Sequence, residues 1–224
     1  MGPELRIFAV NGREELAISG RLDSSNLFAA CERIDERLKS RGRSLQDASF
    51  DLGNQALDPI AVGRIMLCLH DNHVKLRGLK LASNRLADFD VHYAVGAYLD
   101  SVYGRFLAEV DLTDNAIGDF GVICLLQTLI RSKTASSERR ITVVKLRDNL
   151  VSHPGRLIEA IPADLRDIVY APPFSSGPSE RALIHITGLD QQKCPRASRD
   201  MPETPKVPIT RPLRTAKEPE DNDW

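Results

Sequence analysis

The chain has 224 residues, 42% of them hydrophobic, which is enough for one sizeable core with appendages. Its 30 Lys and Arg residues nearly balance 31 Asp and Glu residues, so no overall charge attracts it to nucleic acid. The beginning of the sequence lacks the features of a secretory signal, and no apolar run approaches the roughly 20 residues of a membrane span. We therefore expect a cytoplasmic or nuclear protein that does not associate with membranes.

Cysteine spacing argues against a metal site or a disulfide framework. The cysteines are far apart and form no CxxC pair; they are Cys31, Cys68, Cys124 and Cys194. We expect reduced thiols, mostly buried, and neither a metal nor a cofactor.

The first part of the chain predicts a hairpin and a helix. Residues 5–10 and 15–22 read as strands around Asn11-Gly12, a strong tight-turn signal. Apolar residues at helical spacing then predict an amphipathic helix that ends near Gly42; they are Leu27, Cys31, Ile34 and Leu38. We assign residues 1–44 to an N-terminal cap. An alternative interpretation is that Leu16 and Ile18 are themselves part of a degenerate repeat strand.

A repeated pattern then dominates the sequence. Windows 50–57, 79–86, 110–117 and 144–151 each read apolar, x, Leu, x, x, Asn, x, apolar, with Gln55 replacing Asn in the first. Alternating apolar residues predict a strand, and the Asn side chain can bond backbone groups where the chain turns inward. The repeat leucines are 29, 31 and 34 residues apart, and they are Leu52, Leu81, Leu112 and Leu146.

A helical phase recurs after each strand. Apolar residues spaced i, i+3, i+4, i+7 follow the first three Asn positions, and they are Val62, Ile65, Met66, Leu69; Val91, Ala94, Val95, Tyr98; Val122, Leu125, Leu126, Leu129. A shorter fourth helix opens near Pro154 and contains Leu157, Ile158 and Ile161. Each unit thus predicts one strand followed by one helix.

The strand, Asn and helix unit resembles the ribonuclease-inhibitor-like subfamily of leucine-rich repeats, over about residues 45 to 165. The resemblance implies an α/β fold, a short solenoid with parallel strands on its concave face and helices on its convex face. It also implies protein recognition, not catalysis, as in a scaffold, an adaptor or a subunit of a complex. Gln55 departs from the family Asn.

We place the repeat domain at residues 45–174 and a flexible tail at 175–224. Leu165, Ile168 and Tyr170 repeat the apolar spacing without an Asn and predict the last strand of the stack. Residues 182–186, Ala-Leu-Ile-His-Ile, could add one strand. The rest is Pro-rich and poor in apolar residues, so we expect it to be largely disordered.

Strand residues that point away from the core are the candidate binding site. Alternation places Asp51, Lys80, Asp111 and Lys145 on that face as an acidic-basic ladder, beside Glu109 and Arg147. Small residues leave the early half of the face open, and they are Ser49, Gly53, Gly78 and Ala82. The ladder either neutralises itself as a solvated surface or binds a protein, with Arg147 as the best single anchor.

The tail offers a linear motif. Arg199, Pro202 and Pro205 form an RxxPxxP arrangement, and Pro208 continues its three-residue period, as in a polyproline II ligand. The basic character of residues 193–217 leaves a second possibility open, an accessory subunit that contacts phosphates through Lys80, Lys145, Arg147 and the tail.

Catalytic signals are weak. His70 and His73 lie at the expected end of the first repeat helix, where a helix-dipole or loop role is common. The sequence contains no GxSxG, P-loop or HExxH motif. We expect a non-enzymatic protein.

Overall fold

A computed structural model of the chain describes residues 4–10, 13–20, 22, 26–40, 45–135, 140–172 and 180–193. These residues form an α/β fold around one mostly parallel sheet. Its strands are β1 (Glu4–Val10), β2 (Arg13–Ser19), β3 (Gln46–Asp51), β4 (Lys75–Lys80), β5 (Glu109–Asp111), β6 (Thr142–Lys145), β7 (Val169–Tyr170) and β8 (Ile184–Thr187). They lie in the order β1-β2-β3-β4-β5-β6-β8-β7.

The helices connect the parallel strands. They are α1 (Leu27–Ser40), α2 (Pro59–Asp71), α3 (Asp88–Asp90), α4 (Gly96–Asp100), α5 (Asp119–Thr134) and α6 (Pro154–Glu159). A π-helical turn, Val91–Val95, joins α3 to α4, and 3-10 turns span Gly104–Phe106 and Ala163–Ile168. Within the described ranges, none of these helices has the length and apolar character that crossing a bilayer requires.

The N-terminal hairpin and helix are confirmed. β1 and β2 pair antiparallel, with Leu5 opposite Ile18, and the predicted turn at Asn11-Gly12 falls outside the described residues. β2 also pairs parallel with β3, Leu16 lying opposite Phe50. The same strand is therefore both the second arm of the hairpin and the first parallel neighbour of the repeat strands.

The repeat strands β3 to β6 lie side by side, as the pattern predicts. Leu52, Leu81, Leu112 and Leu146 come directly after these strands and are fully buried. Each donates its backbone N–H to a carbonyl of the next strand, the acceptors being Lys80, Asp111, Lys145 and Thr187, at 2.7 to 2.9 Å. The parallel ladder therefore continues through the leucines.

The predicted helix faces pack under the sheet. All twelve residues at helical spacing in the first three repeats are buried, in one core with the inward strand residues. The second of these helices is interrupted by the π-helical turn at Val91–Val95, a feature that the spacing does not reveal. α6 begins at Pro154, and it buries Leu157.

Asn side chains join neighbouring repeats. The Oδ1 of Asn84 accepts the backbone N–H of Gln55 at 3.1 Å and of Leu57 at 3.2 Å. Its Nδ2 donates to the carbonyls of Leu52 at 2.8 Å and Leu81 at 3.0 Å. Asn115 and Asn149 repeat this arrangement one and two units further along the chain. Each amide satisfies buried backbone groups on both sides of a repeat junction.

Aspartates at the helix starts form a second set of junctions. Asp88 accepts the backbone N–H of Gly118 at 2.6 Å. One unit later, Asp119 accepts those of Ser152 at 2.8 Å and His153 at 3.2 Å, and the His153 ring lies 3.0 Å from it. The start of each of these helices is thereby fixed to the loop of the next repeat.

The predicted last strand is confirmed in part. Of Leu165, Ile168 and Tyr170, Tyr170 lies in the short β7, which is the edge strand of the sheet, whereas residues up to Ile168 form a 3-10 turn. β8 lies between β6 and β7 and overlaps the segment 182–186, where the sequence offers one further strand; Ile184 and Ile186 of β8 are fully buried.

β8 begins a fifth unit of the repeat, and Gln192 takes the place of the Asn in this unit. Its Oε1 accepts the backbone N–H of Asn149 at 3.2 Å, and its Nε2 donates to the carbonyl of Leu146 at 3.2 Å. These are the bonds that Asn makes in the earlier repeats. The folded chain therefore extends past residue 174, where we placed the start of the tail, to at least Lys193.

Candidate partner-binding face

The predicted ladder is in register across four strands. Asp51 lies opposite Lys80, Lys80 opposite Asp111, and Asp111 opposite Lys145. All four side chains are partly exposed. The structure therefore brings these candidate residues together in one row on the outward side of the sheet, which we call the charged ladder.

Opposite charges within the ladder pair. Lys80 Nζ lies 3.7 Å from Asp51 Oδ2, and Lys145 Nζ lies 3.7 Å from Asp111 Oδ2. The strongest contact joins Lys145 to Glu109, whose Oε1 accepts a hydrogen bond at 2.5 Å. This hydrogen bond and the nearby carboxylates raise the pKa of Lys145. Exposed pairs of this kind contribute only about 0 to 1 kcal/mol to stability.

The two ladder aspartates also bond their own backbone. Asp51 accepts the N–H of Gly53, and Asp111 accepts the N–H of Thr113, each at 3.0 Å. The acidic half of the ladder therefore helps to shape the turns that leave β3 and β5. The lysines make no comparable backbone bond within the described residues, and ion pairs are the contacts that hold their side chains.

Arg147 lies in the loop after β6, one row beyond the ladder. The backbone N–H of Asp114 donates to its carbonyl at 2.9 Å, and its guanidinium contacts Asp148 at 3.1 Å. The side chain is largely exposed. Its neighbour Gly188 has φ of 80°, and a Cβ there would lie 2.6 Å from the backbone nitrogen of Arg147.

A depression of about 400 Å³ opens beside the ladder. Its lining residues are Arg13, Ser49, Arg77, Gly78, Ala108, Glu109, Val143 and Lys145. Ser49, Gly78, Glu109 and Val143 occupy one register row across β3 to β6. We call this depression the sheet-face pocket. Two of its residues, Glu109 and Lys145, were candidate site residues from the sequence.

Arg13 and Arg77 were missed for different reasons. Strand alternation places Arg77 on the inward side, with Leu79, but a bulge in the β3–β4 pairing shifts the register at this point. The bulge residue Asp47 has φ of 63°, and its carboxylate lies 3.7 Å from Arg77 and 3.5 Å from Arg140. Arg13 lies on the hairpin strand β2, which the sequence assigns to the N-terminal cap. Sequence gives no sign of the bulge.

An exposed aromatic cluster lies on the helical side. Phe89 and Tyr93 stack with ring centroids 6.1 Å apart, and Phe120 lies 6.2 Å from Phe89. These three side chains are 65%, 67% and 51% exposed. Phe89 and Phe120 both follow their repeat Asn by five residues, and Ile60, 67% exposed, follows Gln55 by the same interval. This regular position, five residues after the repeat amide, is a sequence signal for an exposed apolar surface on the helical side.

A groove of about 420 Å³ lies next to the cluster, between α2 and α4. It is mostly apolar, and its walls include Met66, Leu67, Tyr93 and Tyr98. Tyr93 and Ala94 of this groove belong to the π-helical turn. The helical side therefore carries its own apolar surface, separate from the charged ladder.

The histidines near the end of α2 contact an aromatic ring. His70 and His73 lie 5.3 and 5.4 Å from the Tyr103 ring centroid. Among the residues that the structure describes, no group of three or more His, Cys, Asp or Glu side chains is placed to hold a metal ion.

The tail motif at Arg199, Pro202, Pro205 and Pro208 lies outside the described residues. A comparison with protein-family models gave no match to this chain. A comparison with curated proteins also gave none.

Proposed function

We propose that this chain is a short leucine-rich-repeat solenoid of the ribonuclease-inhibitor-like kind, and that it works as a non-enzymatic protein-binding module, an adaptor or scaffold subunit. Its partner binds across the outward sheet face. The repeated unit supports the first part, because strand, Asn and helix recur with the same hydrogen bonds at Asn84, Asn115 and Asn149.

The single observation that carries the binding proposal is the register of the charged ladder. Asp51, Lys80, Asp111 and Lys145 lie in one exposed row across adjacent parallel strands, about 4.8 Å apart. Such a row presents fixed charges on a rigid support, which favours specific recognition and fast association. The sheet-face pocket beside it adds a concave feature to this surface.

Charge alternation favours a protein partner over nucleic acid. A nucleic-acid strand brings a regular series of negative phosphates, and Asp51, Glu109 and Asp111 would repel them. The two ladder lysines are each already close to a carboxylate. A protein surface can match alternating signs residue by residue, so it is the better complement.

Unbridged cysteines support a reducing compartment, the cytoplasm or the nucleus. Cys31, Cys68 and Cys124 carry free thiols. Burial raises the pKa of Cys68 to about 12, which keeps this thiol protonated and unreactive. The segment from Arg199 to Pro208 is proposed as a second, weaker contact, whose linkage to the face would raise avidity.

Quantitative affinity capture from cells that express the protein tests this proposal. The double variant Lys80→Glu with Arg147→Glu reverses two charges on the sheet face. The matched control, Lys39→Glu with Arg131→Glu, reverses two largely exposed charges on helices. We expect the face variant to lose proteins that the wild type and the control both retain, also after nuclease treatment. Equal capture by all three would contradict the proposal.

A further inference from the structure

The two edges of the sheet differ. β7 closes one edge with only two residues, Val169–Tyr170, and short edge strands are one way in which proteins prevent unwanted strand pairing. β1 forms the other edge with seven residues, Glu4–Val10, and its register with β2 runs without a bulge. It contains neither proline nor lysine, two residues that often protect an exposed edge. β1 is therefore a long, regular edge with little of this protection.

Backbone groups along the outer side of β1 are open to a further strand. In an antiparallel pair, alternate residues direct their N–H and C=O groups to the partner, and the residues between them direct these groups away. Val10 lies opposite Arg13 at the closed end of the hairpin, where facing residues bond each other. Counting back from Val10, the outward groups belong to Leu5, Ile7 and Ala9. Among the residues that the structure describes, none hydrogen-bonds the backbone of these three.

The edge is also accessible, and its side chains are mostly apolar. Phe8 is 43% exposed and Val10 is 37% exposed. A depression of about 360 Å³ separates the Leu5 end of β1 from α1, so this helix does not close the edge there. An incoming strand would therefore find both free backbone groups and apolar side chains to cover.

The sequence of β1 is complementary to itself in the antiparallel orientation. When Ile7 of one copy lies opposite Ile7 of another, all seven residues of both strands pair and their outward backbone groups meet. The remaining pairs are Leu5 with Ala9, Arg6 with Phe8 and Glu4 with Val10. No like charges face each other, and the Arg6 guanidinium can lie over the Phe8 ring of the other copy. Moving the centre to Arg6 would place two arginines opposite each other and pair fewer residues.

We propose that two copies of this chain pair through β1, antiparallel and centred on Ile7, and so form a two-fold dimer with one continuous sheet. Such a pairing closes at two copies because both contribute the same edge. Since paired strands share one sheet, both outward faces lie on the same side, and the dimer presents two charged ladders to a partner. The inference goes beyond the proposed function and would stand even if the sheet face bound nothing.

Analytical ultracentrifugation of the full chain under reducing conditions, from about 1 to 500 µM, tests the dimer. A seven-residue strand pair is small next to a standard interface of about 800 Å² per partner, so we expect a dissociation constant in the micromolar range. Ala9→Pro removes one outward N–H and places a ring against the incoming strand, whereas the hairpin bonds to β2 remain. We expect this variant to dimerise at least about tenfold more weakly.

Val10→Glu and Val10→Lys form a matched pair, because both remove the same exposed apolar side chain. The new side chain faces Glu4 of the other copy, which repels glutamate and attracts lysine, and the contact occurs twice in a two-fold dimer. We expect Val10→Glu to dimerise about tenfold more weakly than Val10→Lys.

Hydrogen exchange tests the register. On raising the concentration, exchange should slow at the outward amides of Leu5, Ile7 and Ala9. The amides of Arg6 and Phe8, which already bond β2, should change much less.

Three results overturn the proposal: a wild type that stays monomeric up to about 500 µM, a folded Ala9→Pro variant that dimerises as well as the wild type, or equal dimerisation of the two Val10 variants. Circular dichroism shows whether Ala9→Pro is folded, and the Val10 pair decides if it is not. A monomeric wild type that captures another protein, and loses it on Ala9→Pro, would assign the edge to a strand of that protein and contradict the dimer.

Discussion

The Nδ2 of Asn115 donates to the carbonyl of Leu81 in the preceding repeat at 3.0 Å and to that of its own Leu112 at 2.9 Å. Its Oδ1 accepts the N–H of Leu86 at 2.9 Å. One buried side chain therefore replaces the water that these backbone groups would bind in the unfolded chain. The junction between these repeats depends on this bridge, because the apolar side chains of the core cannot hydrogen-bond the backbone groups.

Asn115→Ala should lower the free energy of unfolding by about 3 to 5 kcal/mol, because several buried backbone groups lose their partner at once. Gln55→Ala is the matched comparison. Among the described residues, the Gln55 side chain makes one weaker contact, accepting the N–H of Leu22 at 3.3 Å, and it is less buried. It should cost about 1 kcal/mol or less. Urea unfolding of both variants measures the difference; similar losses would show that the buried amides do not join the repeats.

Neighbouring residues of the same strands should differ in their effect on stability. Lys80→Ala and Lys145→Ala should each cost less than about 1 kcal/mol, because their ion pairs are exposed. Leu81→Ala and Leu146→Ala should each cost about 2 to 5 kcal/mol, because the side chains are fully buried. Chemical unfolding of the four variants checks this contrast. A large loss for either lysine variant would mean that the charged ladder is structural.

Asp119 should make stability depend on pH in the acid range. Burial acts to raise its pKa, but hydrogen bonds from His153 and Ser152 outweigh burial and lower it below the ordinary value. A lowered pKa in the folded state gives stability that is present above the unfolded pKa of about 4 and is lost as pH falls through the folded pKa.

Asp119→Asn therefore should destabilise the protein by about 1 kcal/mol at pH 7, from weakened hydrogen bonds to the charged group. The difference from the wild type should shrink as pH falls below about 4. Unfolding at a series of pH values measures it. A difference that stays constant into acid would mean that the Asp119 charge does not contribute.

The exposed aromatic cluster should be dispensable for folding. Phe89→Ser with Phe120→Ser should change the free energy of unfolding by less than about 1 kcal/mol, since both rings are more than half exposed. The same variant should bind less of a hydrophobic dye such as ANS, because an exposed apolar surface is lost. Tyr98→Phe is the buried comparison. It leaves the carbonyl of Val74 and the N–H of Leu76 without their partner and should cost about 1 to 3 kcal/mol.

Much of the fold was predictable because its determinants are local. The repeat strands are recognisable from the leucine that follows each of them, at Leu52, Leu81, Leu112 and Leu146. The i, i+3, i+4 spacing of apolar residues identifies the buried helix faces. The strand of the fifth unit overlaps the segment 182–186, but one extra residue displaces its repeat leucine from the pattern. Gly188, with φ of 80°, lies between the strand and Leu189, so the leucine falls three residues after Ile186 instead of two.

The candidate site was predictable only in part. Alternation along regular strands correctly groups Asp51, Lys80, Asp111 and Lys145. It fails at the β3–β4 bulge, where Asp47 has a positive φ that no local sequence signal indicates. Arg77 therefore lines the sheet-face pocket although its sequence position indicates the opposite side of the strand.

Lysine acetylation footprinting of the partner complex tests the central claim most directly. Lys80 and Lys145 lie on the sheet face, whereas Lys39 is largely exposed on α1 and serves as the internal control. Binding across the outward sheet face predicts that the partner slows acetylation of Lys80 and Lys145 and leaves Lys39 unchanged. Undiminished labelling of Lys80 and Lys145 in a saturated complex would contradict it.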